Sequence, residues 1–116
     1  AQVPRADAVE YAGLLARFIS ALYARDEAEA LDSLKDVMAE PRRLALMPEL
    51  PALRALFAED GIPHLGISGS GRTLFAVCTG DAQAEAAADL FRLHYEKNPD
   101  AMTHICEMAE HGARSV

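Results

Sequence analysis

Residues 66–78 read GISGSGRTLFAVC, and the run after the glycines decides the fold. Gly66, Gly69 and Gly71 are interspersed with Ser68 and Ser70, and Arg72-Thr73 close the turn. The spacing Gly66-x-x-x-x-Gly71-Arg72-Thr73 is one residue away from a phosphate-binding P-loop, which has Lys where this chain has Arg72. A P-loop works because its glycine turn opens into a helix, whose N-terminal N–H groups face the phosphate. Here the turn opens into TLFAVC, a short β-branched and aromatic run. Arg72 also lacks the compact ammonium of a Lys. The stretch therefore predicts strand, glycine turn, strand, over 63–68 and 73–78. The glycines of such a turn can serve positive φ. Three of them with serines between also let a ligand or another backbone approach closely. Residue chemistry alone leaves both readings open.

Working outward, the segments before the hairpin read as helices. Over 7–25, Tyr11, Leu14, Leu15, Phe18 and Leu22 fall on one helical stripe, with Asp7 and Glu10 as a capping box. Asp26 with Glu29 marks a second start, for a helix running to about Met38 with Ala30, Leu31, Leu34 and Met38 inward. Glu40-Pro41 breaks it, and 42–47 is expected as a short helical turn. A further helix spans 49–59, with Pro51 in its first turn and Gly61 just past its end. After the hairpin, 82–97 is helical with Ala86, Leu90, Phe91 and His94 on one stripe, and Asn98-Pro99 stops it. THICEM at 103–108 alternates as a strand, and 113–116 is a candidate final one. The order predicts an α+β fold, with helices packed on one face of a small, mostly antiparallel sheet.

The 116 residues suit one domain with a real core. A net charge of -7 argues against nucleic acid, whose phosphates need clustered Lys and Arg. No apolar run reaches the ~20 residues of a membrane span, and AQVPRADAVE has no signal-peptide h-region. Cys78 and Cys106 sit in apolar stretches and read as buried thiols in a reducing cytoplasm. His64, His94, His104 and His111 lack metal-ligand spacing. Of these, His64 and His104 read as hydrogen-bonded scaffold. Lys35-Asp36 reads as an exposed helix pair.

Three stretches together carry a family. ISGSGRTLFAVC resembles the third motif of the GHMP small-molecule kinases, most closely that of the homoserine kinases. LKDVMAEPRRLALMPEL at 34–50 resembles the same family's segment between helices, and THICEMAEHGARSV resembles its proteobacterial ending. The resemblance implies the C-terminal domain of such a kinase, a ferredoxin-like sandwich. The family's ATP-binding PxxxGLGSSAA-type loop has no counterpart in these residues and is expected on an N-terminal domain of the same polypeptide. The implied activity is transfer of the ATP γ-phosphate, with Mg²⁺, to the hydroxyl of L-homoserine. The implied phosphate-side loop is Gly66, Ser68, Gly69, Ser70 and Gly71, with Gly66 also beside the substrate. The arginine of the family's Glu-Pro-x-Arg stretch helps hold the amino acid's carboxylate and maps onto Arg43, with Arg42 adjacent. On residue chemistry alone, Arg43 reads first as a solvated charge at a helix C-terminus. The family usually has proline where this chain has Arg72, which reads as exposed and neutral to function. No residue is singled out as a catalytic base or metal ligand. An apolar surface is expected where the N-terminal domain packs, through which two copies could form a homodimer. Two other readings stay open: a non-catalytic α+β module that binds an amino acid, and a GHMP relative with a different acceptor.

Overall fold

The computed structural model describes residues 2–69, 72–97 and 99–112. In chain order it contains α1 (Arg5–Ala24), α2 (Glu27–Asp32), α3 (Glu40–Arg43), a 3₁₀ turn (Leu44–Leu46), α4 (Leu50–Glu59), β1 (Leu65–Ser68), β2 (Thr73–Ala76) and α5 (Asp81–His94). The fold is α+β, with an antiparallel two-stranded sheet among the described residues.

Each element has a local cause. The Asp26 carboxylate accepts from Glu29 N–H at 3.0 Å, which starts α2 as its spacing predicts. Pro51 lies in the first turn of α4, and Gly61 takes φ +76° just beyond it. At α5, Gln83 accepts from Thr79 N–H at 2.7 Å and donates to the Gly61 carbonyl at 2.6 Å. One amide thus tethers the start of α5 to the end of α4.

The register Leu65↔Ala76, Gly66↔Phe75, Ile67↔Leu74 and Ser68↔Thr73 sorts the hairpin into two faces. Leu65, Ile67, Leu74 and Ala76 share the face that packs on Met47, Leu50, Leu53, Phe57 and Ile62, with Ala87 and Phe91 from α5. The Phe57 and Phe91 rings meet at 4.7 Å between centroids. The other face, carrying Gly66 and Phe75, looks across a cleft of about 440 Å³ toward Tyr11, Leu14 and Phe18 of α1.

Several expectations are corrected. The helix at 7–25 is α1, but it starts from Pro4 with no side-chain cap, and Asp7 lies within its first turn. Its buried residues are Leu14 and Ala21, whereas Tyr11, Leu15 and Leu22 are exposed. The helix expected to reach Met38 ends at Asp32. Ser33 Oγ bonds back to the Glu29 carbonyl at 2.8 Å, and Asp36 Oδ1 accepts from the N–H of Met38 and Ala39. These local bonds compete with helix continuation, so Lys35-Asp36 lies in an irregular stretch rather than forming a helix pair. Leu34 is correspondingly exposed. Glu40-Pro41, read as a break, opens α3, with Pro41 in the first turn where its missing N–H costs nothing. Residues 103–108 are irregular rather than a strand. A cleft of about 810 Å³ lies between them, β2 and α5, so their alternation finds no ladder partner. Cys106 and His104 are therefore exposed, while Cys78 is half-buried. The candidate strand at 113–116 lies outside the described residues.

Candidate functional site

Arg43 is the last residue of α3, and Gly69 follows the last residue of β1. They lie 26 positions apart, yet Arg43 Nη1 donates to the Gly69 carbonyl. The structure thus brings the expected carboxylate-binding arginine onto the glycine turn. Gly69 has φ +62°, in the left-handed region that favours glycine, and this conformation turns its carbonyl back toward α3. Ser68 ends β1 opposite Thr73 and is exposed. Ser70 and Gly71 lie outside the described residues.

Gly66 has a different local reason. Its φ is not positive, so the backbone does not demand glycine. A Cβ there would lie 2.6 Å from Cζ and 2.8 Å from Cε1 of Phe75, its cross-strand partner. The ring lies over the glycine, so Gly66 supplies space for Phe75.

Beyond the turn, the Tyr95 hydroxyl at the end of α5 donates to the Arg72 carbonyl. Burial pushes the Tyr95 pKa up, the Glu49 carboxylate pushes it further, and Arg72 opposes them. Glu49, Arg72 and Tyr95 therefore share one electrostatic neighbourhood at the exit of the turn. Arg72 itself is exposed, as its place in a turn suggests. Arg42 points elsewhere, donating to the carbonyls of Met38 at 3.0 Å and Gln2 at 3.1 Å. Of the two adjacent arginines, Arg43 reaches the turn.

The residue that sequence reasoning missed is Arg54 of α4. Its guanidinium forms a two-pronged pair with Glu40, Nη1 to Oε1 and Nη2 to Oε2, the latter at 2.6 Å. It also donates to the Leu65 carbonyl, from Nη2 at 2.8 Å and Nε at 3.2 Å. Val77 N–H bonds to the His64 carbonyl at 3.0 Å, which makes 64/77 a bonded pair of the ladder. The Leu65 carbonyl next to it therefore points to the outer edge of β1, and Arg54 satisfies it. A single arginine inside the apolar run LPALRALF was the signal present in the sequence.

Among the described residues, no group of three or more His, Cys, Asp or Glu could hold a metal ion. No described helix is long and apolar enough to cross a membrane. The positive groups at the turn are Arg43 and Arg72, and they suit an anionic ligand rather than a cation.

The described residues form a small α+β domain with an arginine drawn onto a glycine turn. The family model for the C-terminal region of GHMP kinases matches residues 18–97, which take in the last two turns of α1, all of α2 to α5, and the glycine turn. The chain belongs to this family of small-molecule kinase domains.

Proposed function

We propose that this chain is the substrate-side domain of a homoserine kinase. An N-terminal domain of the same polypeptide would carry the ATP-binding loop and the residues that face Mg²⁺. In the reaction, the homoserine hydroxyl oxygen bonds to the γ-phosphorus. The bond from that phosphorus to the β,γ-bridging oxygen breaks, ADP leaves with the electron pair, and the hydroxyl proton is released. Mg²⁺ bound to the phosphates would neutralise their charge.

The observation that carries this reading is the Arg43–Gly69 contact, which places a guanidinium on the glycine turn. Homoserine is small and zwitterionic. A guanidinium has five N–H donors and meets a carboxylate through two parallel bonds. Fixing the carboxylate fixes the hydroxyl at the other end of a short chain, and positioning is most of what phosphoryl transfer asks of a protein. The turn contributes N–H donors beside the transferred phosphate.

The test is homoserine-dependent ADP release by the full-length polypeptide that contains this chain. Turnover above about 1 s⁻¹, within the usual range for kinases, is the expected result. A folded protein that binds Mg-ATP but does not turn over homoserine would make it a GHMP relative with another acceptor. The 116-residue chain alone is expected to bind homoserine more weakly than about 1 mM, because half of the site's partners are elsewhere. Micromolar binding by the chain alone would instead indicate an amino-acid-binding module.

A further inference from the structure

We infer that Arg54 is a positioning residue for Arg43. The inference rests on the reading of Arg43 as the carboxylate clamp. Arg54 holds two elements at once: Glu40, the first residue of α3, and the Leu65 carbonyl, at the first residue of β1. Arg43 is three residues beyond Glu40, about 4.5 Å along a helix axis. Gly69 is four residues beyond Leu65, just past the end of β1. The two elements meet again where Arg43 donates to the Gly69 carbonyl. The contacts close a ring: Arg54, Glu40, α3, Arg43, Gly69, β1, Leu65 and back to Arg54.

The chemistry of the bracket suits positioning better than stability. Glu40 is 8% exposed but the Arg54 side chain is 38% exposed, and a half-buried ion pair of this kind contributes little net stability that apolar packing would not also supply. What apolar packing does not supply is orientation. The planar guanidinium meets both carboxylate oxygens and the edge carbonyl in fixed directions, which a lysine does not reproduce. Rotation of α3 about its short axis, or sliding of β1 along α4, breaks at least one of these bonds. With only four residues, α3 has little packing of its own to resist such rotation. Arg54 therefore sets where the Arg43 side chain begins, and the Gly69 carbonyl sets where it ends.

The experiment measures rotation about the Nε–Cζ bond of Arg43 by ¹⁵N/¹³C NMR on the 116-residue chain, in wild type, Arg54→Met and Glu40→Gln. Arg54→Met keeps the apolar stem and removes the fork; Glu40→Gln keeps the shape and removes the charge. Arg17 and Arg92, paired with Glu29 and Asp89, serve as internal controls. A charge-assisted hydrogen bond slows guanidinium rotation. Its loss speeds Arg43 rotation by about tenfold or more in both variants, with the controls unchanged. This readout does not depend on the acceptor, so it stands or falls apart from the homoserine assignment. Unchanged Arg43 rotation in either folded variant would overturn the inference. In the full-length kinase, Arg54→Met is expected to raise KM for homoserine more than it lowers kcat. It should add no further loss to Arg43→Ala; losses that multiply would also overturn it, because a merely structural residue acts independently.

Discussion

Replacing Gly66 by alanine separates the space Phe75 needs from the turn's wider role. The new Cβ would lie 2.6 Å from one ring carbon and 2.8 Å from another, against an ordinary contact of about 3.5–4.0 Å. The ring has to move by roughly 1 Å. Phe75 is 41% exposed and borders the cleft toward α1, so it has somewhere to go. The displacement costs about 0.5–1.5 kcal/mol as an off-rotamer side chain. Against this, alanine in a strand interior gains about 0.5–1 kcal/mol over glycine. The two effects nearly cancel, so Gly66→Ala alone is expected to change stability by under about 1 kcal/mol. The informative measurement is the double-mutant cycle with Phe75→Ala, followed by urea unfolding. Without the ring, Gly66→Ala is stabilising by about 0.5–1 kcal/mol, which makes the coupling of order 1 kcal/mol. Additivity within about 0.3 kcal/mol would refute the idea that Phe75 is why residue 66 is glycine.

Three further outcomes come from the packing and the titrating groups. Phe57 is fully buried against Phe91, and Phe57→Ala should cost about 3–5 kcal/mol in urea unfolding, with the cavity term included. Tyr95 has its pKa raised by burial and by Glu49, so the folded state holds the proton more tightly than the unfolded chain. Its contribution is therefore complete below the unfolded pKa of about 10 and lost as pH rises through the folded value. Tyr95→Phe should cost about 1 kcal/mol at pH 7 and flatten the alkaline fall of the urea midpoint. Cys106 is exposed, whereas burial pushes the half-buried Cys78 thiol up, so a disulfide reagent at neutral pH should modify Cys106 about tenfold faster or more. A single fast phase in Cys106→Ser would contradict this.

The hairpin was legible because TLFAVC follows the glycines with strand chemistry, and the capping pair Asp26–Glu29 marked α2 for the same local reason. The end of α2 was harder. Ser33 and Asp36 turn their side chains onto nearby backbone, and an apolar period that continues through Leu34 and Met38 hides that competition. In α1, apolar residues occupy two neighbouring stripes. Periodicity shows that a face is apolar but not which stripe finds a partner, and Leu14 and Ala21 are buried rather than Tyr11 and Leu15. Residues 103–108 alternate, yet a strand exists only where an edge receives it. At the candidate site, Arg43 and the glycine turn are named through the family resemblance, since residue chemistry alone leaves Arg43 a solvated charge at a helix end. The Glu40–Arg54 pair could not be named, because it joins residues 14 positions apart that no local period connects.

In the proposed reaction Arg43 holds the acceptor's carboxylate. Comparing homoserine with 3-aminopropan-1-ol, the same molecule without the carboxylate, as acceptor for full-length wild type and Arg43→Ala tests this. Wild type is expected to prefer homoserine by about a hundredfold in kcat/KM, as about 3 kcal/mol from a two-pronged charged pair would give. Arg43→Ala should lose most of that preference while its rate with 3-aminopropan-1-ol stays nearly the same. A preference that survives intact in Arg43→Ala would show that the carboxylate is read elsewhere, and would contradict the role assigned to Arg43.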